Sequence, residues 1–198
     1  MMFTLLTMVV LAQAQNESMM PLLARGQLVL VEPGTDGRFG SATAIVIVDA
    51  PPEKVWATLL KMEEFKDFMP KVTSSELLRR EKNEMDLHFV IEVPGPDTDY
   101  VVRYTKDDAK QTVTGSWMKG DLKGSKWFWK VEPAPGGKTL LSQQLSVKNF
   151  SSLAASVEDE QQTITVGVNV SSAIAGTKAL KRRCEQPPPP PPAATVAK

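Results

Sequence analysis

His88 and Cys184 are the chain's one histidine and one cysteine, so the side chains that most often do chemistry near neutral pH are scarce. A lone cysteine rules out a disulfide within the chain and a zinc cluster built on cysteine. A lone histidine removes histidine-rich metal sites and leaves any nucleophile–base arrangement dependent on one residue. His88 shares a strand face with Asp86 and Glu92, opposite Leu87 and Phe89, which places it in solvent. Asp97 and Asp99 adjoin Pro94-Gly95-Pro96; as a pair they would suit acid–base work, but an ordinary turn, where aspartate bonds the backbone, accounts for them. Arg103 alternates away from Tyr100, Val102 and Tyr104 and is expected outside. No phosphate-cradling glycine loop, nucleophile elbow or metal-ligand spacing occurs, so no cofactor and no metal are expected. Two tyrosines, Tyr100 and Tyr104, and Gln143 remain as polar groups on otherwise apolar strand faces.

The elements that position them are read from periodicity. Gln27 to Glu32 and Ser41 to Val48 flank the turn signal Pro33-Gly34-Thr35-Asp36-Gly37 and predict a hairpin. Pro51-Pro52-Glu53 opens a helix, because proline is tolerated in the first turn and Glu53 meets the positive end of the dipole. Val55, Trp56, Leu59 and Leu60 form its apolar face, and Glu63 and Glu64 open a second short turn with Phe65, Phe68 and Met69, closed by Pro70. Six strands follow in series: Val72 to Arg80, Met85 to Val93, Tyr100 to Thr105, Gln111 to Met118, Lys126 to Glu132 and Thr139 to Val147. They predict an antiparallel meander with one charged, wet face and one apolar, covered face.

The cover must come from Ser151 to Arg183. Ile164, Val166, Val168 and Val170 alternate as in a strand, whereas Val157, Gln161, Ile164, Val168, Ser171 and Ala175 have helical spacing. A capping-box pattern at Ser156-Val157-Glu158-Asp159 and the bases Lys178, Lys181, Arg182 and Arg183 favour a long helix.

With 198 residues and 42% hydrophobic content, one domain with a real core is expected, over residues 26–183. Formal charge of +0 and a pI of about 6.6 point to neither a nucleic-acid surface nor an anionic membrane. Phe3 to Ala12 is an apolar run followed by Ala12-Gln13-Ala14, the pattern of a signal peptide over residues 1–14, although no Lys or Arg precedes it; an uncleaved or buried segment is the alternative. The run is shorter than the roughly 20 residues that span a bilayer, so no transmembrane span is expected in the mature chain, which would be periplasmic or secreted. Residues 15–25 read as a polar lead-in, and residues 184–198, with the proline run Pro187 to Pro192, as a solvated tail able to recruit a protein partner.

The order of hairpin, helix pair, meander and long C-terminal helix resembles the START-like helix-grip superfamily, in its branch of polyketide cyclases and coenzyme Q-binding START domains. The resemblance is carried by Val48-Asp49-Ala50-Pro51-Pro52-Glu53-Lys54-Val55-Trp56, Phe65-Lys66-Asp67-Phe68-Met69-Pro70-Lys71-Val72, Gly124-Ser125-Lys126-Trp127 and Gly137-Lys138-Thr139, across about residues 39–183. It implies an α+β fold, a curved antiparallel sheet gripping the C-terminal helix around an apolar cavity. It implies function less sharply, because this fold hosts carriers, cyclases, dehydratases and regulators.

The expected cavity wall comprises Trp56, Leu59, Met62, Phe65 and Phe68 from the helix pair, with Leu87, Phe89, Ile91, Tyr100, Val102, Tyr104, Trp117, Trp127, Trp129, Leu141, Gln143 and Leu145 from the strands, and Ile164 and Val168 from the terminal helix. Met62, Met69, Met85 and Met118 are expected near its mouth. Three functions fit: a non-enzymatic binder of a lipid, quinone or similar hydrophobic molecule; a cyclase, aromatase or dehydratase using Tyr100 or Tyr104 as acid; or an interaction module with a filled core.

Overall fold

The computed structural model describes residues 19–93, 96–148 and 158–186. The signal-peptide pattern, the Pro94-Gly95 turn, the Ser156-Val157 half of the capping box and the proline run lie outside the described residues.

Strands β1 (Leu28–Pro33) and β2 (Phe39–Val48) form the hairpin, joined through the turn at Gly34 and Gly37. Helix α1 (Pro52–Leu59) has proline in its first turn, acidic Glu53 beside it, and buries Val55 and Leu59. A 3₁₀ turn, Met62–Asp67, follows and buries Met62 and Phe65. The chain then runs β3 (Val72–Arg80), β4 (Glu84–Ile91), β5 (Thr98–Asp107), β6 (Thr112–Gly120), β7 (Lys126–Ala134) and β8 (Lys138–Ser146) into the long helix α2 (Glu158–Glu185). The β-branched alternation at Ile164–Val170 therefore lies in a helix, where tertiary packing outweighs intrinsic preference. Asp99, expected in a turn, is inside β5.

All eight strands form one antiparallel sheet in the order β1-β2-β8-β7-β6-β5-β4-β3, curved around α2. Helix α2 lies chiefly against β2, β8 and α1. Inward residues from every central strand, with Val55, Leu59 and Met62, make the principal core.

Two expectations about surfaces are corrected. The lead-in is not simply polar: residues 19–23 are helical, and Met19, Met20 and Leu23 pack on Ile45, Ile47, Leu28 and Leu140. Around Ile45, Ile47 and Leu140 the outer face of β2 and β8 is consequently apolar and covered rather than charged and wet. Farther along that face the charges do appear. Asp86 is buried beneath Arg103 (Nε to Oδ1, 2.7 Å) and Arg79 (Nη1 to Oδ2, 3.4 Å). His88 lies there too, only 27% exposed and 2.8 Å from Asp99 Oδ1.

Candidate ligand cavity

Where α2 leaves the meander, its residues become small. Ser171, Ser172, Ala175 and Gly176 face the space that larger side chains would fill, and a cavity of about 480 Å³ remains between this half of the helix and the sheet. Ligand pockets typically occupy about 300–1,000 Å³, mostly apolar with a few placed polar groups. The wall is Phe89, Ile91, Trp127, Trp129, Leu145 and Val147 from the sheet end to end, Phe65 and Met69 from the helix–strand junction, Leu122 from the β6–β7 turn and Val168 from α2. Among the described residues of the wall, the exposed ones are Pro70, Lys71 and Glu92 on one side and Ser171 and Ser172 on α2, and they mark where it opens.

The aromatic rings hold one another in place. Tyr100 stacks on Trp127 with ring centroids 5.5 Å apart and planes 3° from parallel; Phe89 lies 5.8 Å from Tyr100 and edge-on to Tyr104 at 6.4 Å; Phe65 reaches Phe89 at 6.3 Å. Such pairs restrict rotamers beyond what area burial does.

Three polar groups interrupt this surface. Tyr100 and Tyr104 are buried, and neither phenol hydrogen-bonds to another described residue. Burial pushes both phenols up, Tyr104 further through its neighbour Tyr100, so both carry their proton at neutral pH and act as donors. Gln143 is 7% exposed, and its Oε1 is buried without a partner. Two glycines make room for these groups. A Cβ on Gly115 would stand 2.6 Å from the Tyr104 ring, and a Cβ on Gly176 would stand 2.3 Å from Gln143 Oε1. Glycine inside a strand or helix costs stability, so its presence at these two points marks close approach.

The charged residues of the wall are confined to its rim. Lys71 Nζ meets Glu92 Oε2 at 3.1 Å, both side chains being more than half exposed. Lys71 (φ 67°) and Leu122 (φ 62°) have left-handed backbone, uncommon for residues with a Cβ and costing on the order of 1–3 kcal/mol each. Polar clamps fix the chain leaving β8. Asn169, fully buried, accepts from Val147 N (2.7 Å) and donates to Val147 O (3.0 Å) and to Thr165 O (2.9 Å), while Ser125 Oγ accepts from Lys148 N at 2.8 Å.

Of the residues expected at the cavity from sequence, Phe65, Phe89, Ile91, Tyr100, Tyr104, Trp127, Trp129, Gln143, Leu145 and Val168 line it. The others lie elsewhere. Leu59, Met62, Leu87, Val102 and Leu141 are fully buried in the principal core instead. Trp56 turns to the surface, where its Nε1 donates to Asp108 Oδ1 at 3.2 Å. Phe68 packs edge-on against Phe65 and beneath the Arg183 guanidinium, 5.6 Å from ring centre. Trp117 is tied by its Nε1 to Asp121 O at 2.8 Å, following the irregularity between Val101 and Val102 in the β5–β6 register. Ile164 is 43% exposed and does not line the cavity. Met69 lines the cavity, whereas Met85 is core and Met118 is exposed. Residues that sequence reasoning missed are Ser171, Ser172, Ala175 and Gly176, with Leu122, Val147 and the two seating glycines. The run of small residues in a helix that should cover an apolar sheet was the available signal.

Fold and cavity together define a helix-grip, START-like protein. The chain belongs to the polyketide cyclase / dehydrase and lipid transport family, whose model matches residues 48–169. Similar solved structures share the fold at low identity. The STAR-related lipid transfer protein from Xanthomonas axonopodis is 19% identical with a TM-score of 0.62, over 81% of this chain and 94% of that one. The Zhui aromatase/cyclase from Streptomyces sp. R1128 is 16% identical with a TM-score of 0.62, over 73% and 93%. A START superfamily protein from Mycobacterium smegmatis is 18% identical with a TM-score of 0.58, over 74% and 97%. Among curated proteins no match is found.

Proposed function

We propose that this protein binds one hydrophobic small molecule in the cavity and carries or stores it without transforming it. The observation behind this reading is the separation of chemistry from volume. The enclosed part of the wall holds aromatic and aliphatic side chains with neutral donors, and the charged residues of the described wall, Lys71 and Glu92, pair with each other at the rim. Apolar area removed from water, at about 25 cal/mol per Å², supplies the affinity. A cyclase or dehydratase reading draws on Tyr100 and Tyr104. Their phenols, pushed up by burial, can polarise a carbonyl but are poor bases, and the one carboxylate of the described wall, Glu92, lies at the exposed rim paired with Lys71, away from the enclosed rings. The N-terminal apolar run fits an exported carrier, and N-terminal sequencing of the mature protein tests that part separately.

Native mass spectrometry of protein purified from its own cells is the test. A stoichiometric apolar adduct that dissociates on denaturation supports the reading. A protein that stays ligand-free after exposure to total lipid and metabolite extracts contradicts it.

A further inference from the structure

The sheet is open, so it ends in two edge strands, β3 and β1, and their edges differ in kind. A free edge carries unpaired backbone N–H and C=O groups that another strand can satisfy. β3 is defended in three ways. Its register with β4 is interrupted between Val72 and Ser74 and between Leu77 and Arg79. It carries the charges Glu76, Arg79 and Arg80. The 3₁₀ turn is tied to it, Ser75 Oγ donating to Glu63 O at 2.8 Å and Arg80 pairing with Glu63 at 2.7 Å. β1 has none of these over its first four residues. Leu28-Val29-Leu30-Val31 is uncharged, and its register with β2 is unbroken as far as Glu32. Leu30 is 45% exposed and Val31 51%, on opposite faces of the sheet. Among the described residues, the backbone of Leu28 to Val31 makes no hydrogen bond beyond the ladder to β2.

The charges beside β1 specify what fits this edge. Arg25 precedes the strand and Asp36 follows it; both are exposed, and neither has an ion-pair partner among the described residues. A second copy laid antiparallel along β1 brings Arg25 of each copy toward Asp36 of the other, whereas a parallel one would bring like charges together. Hydrogen-bonded and non-hydrogen-bonded pairs alternate along an antiparallel ladder, so a two-fold axis must pass through a residue facing its own copy. With the axis at Leu30, Leu30 meets Leu30 on the outer face and Val29 meets Val31 on the inner face. Pro33, which has no N–H, ends the ladder.

We propose that β1 is a self-association edge, through which two copies of this chain pair antiparallel about Leu30 and join their sheets into one. No residue of β1 lines the cavity, so both copies keep it, and the proposal is independent of what the cavity holds. Six residues at about 3.3 Å make an edge of about 20 Å, and an interface built on it lies below the roughly 1,200–2,000 Å² of a stable complex. The dimer is therefore a weak, exchanging one, with a dissociation constant on the order of 100 µM.

The test combines cross-linking with sedimentation of the full chain. Residues facing each other across an antiparallel ladder have Cα atoms about 4.5–5.5 Å apart, within disulfide reach. Leu30→Cys is expected to give a disulfide-linked dimer under mild oxidation, while wild type, whose Cys184 is fully buried, gives none. Leu78→Cys, 49% exposed on the opposite edge strand, is the matched control and is expected to link at least about tenfold more slowly. In sedimentation equilibrium the average mass of wild type should rise toward twice the monomer between about 5 and 500 µM, and Leu30→Lys, with unchanged circular dichroism, should stay monomeric. Arg25→Glu and Asp36→Arg should each weaken the dimer about two- to tenfold, and the double reversal should restore it. Equal linking at Leu78→Cys overturns the proposal, as does a dimer that survives Leu30→Lys or a double reversal no tighter than either single variant. A wild type that is monomeric at 500 µM also overturns it, whether β1 is then bare or taken by the chain's own N-terminal residues or by another protein's strand.

Discussion

The two halves of α2 face the same sheet and are held to it by different forces. Toward its C-terminus Thr177, Leu180 and Cys184 recur at helical spacing, are all fully buried, and close against a core that includes Val48, Val55 and Leu59. Toward its N-terminus Val168, Ser171, Ser172, Ala175 and Gly176 leave a cavity, and the attachment passes instead through Asn169 to both backbone groups of Val147. Packing is strong but fills space. A buried bidentate hydrogen bond anchors the helix while leaving apolar volume empty.

The contrast is open to mutation. The largest effect is expected in the packed half. Leu180→Ala should cost about 2–5 kcal/mol, whereas Val168→Ala, at a wall that is already open, should cost roughly 1 kcal/mol or less; urea denaturation of both measures the difference. Similar losses would mean that the two halves are packed alike. Asn169→Ala should be severe for its size, about 2–4 kcal/mol, because it strands the buried N–H and C=O of Val147. Gly115→Ala should cost about 1–3 kcal/mol by overpacking against the Tyr104 ring, and should lower ligand affinity as that ring shifts.

A smaller effect separates the sheet's outer face from the cavity. The Arg103 guanidinium hydrogen-bonded to Asp86 holds its carboxyl below the usual carboxylate range. A carboxyl depressed by folding contributes stability above its unfolded value of about 3.9 and loses that contribution as pH falls through the folded value. Asp86→Asn should therefore be less stable than wild type at pH 5 to 7, with the gap narrowing below about pH 4, and ligand affinity at pH 7 should not change. A pH-independent gap would remove the ion pair as its cause.

Much of the architecture was legible because local and global signals agree in it. Pro51-Pro52-Glu53 could only begin a helix, and the period-2 runs from Val72 to Val147 could only be strands. Tyr100, Tyr104 and Gln143 stood out as polar groups on apolar faces, and all three line the cavity. Periodicity gives a residue's face and not its depth along the sheet, so Leu87, Val102 and Leu141 were indistinguishable from Phe89, Tyr100 and Leu145. Trp56 was misplaced because an indole N–H can be drawn to a surface carboxylate, here Asp108, that only the fold brings near. The cavity itself was written in what is missing, the small side chains from Ser171 to Gly176, and hydrophobic patterning does not register missing volume.

Filling that volume tests the account most directly. Ala175→Phe places a ring where α2 now leaves space, and wild-type and variant protein are titrated in parallel with an environment-sensitive apolar dye while unfolding is followed by circular dichroism. The account predicts saturable one-to-one binding to the wild type, at least about 100-fold weaker binding to the variant, and cooperative unfolding in both. Dye binding that is unchanged in a folded Ala175→Phe protein would contradict it.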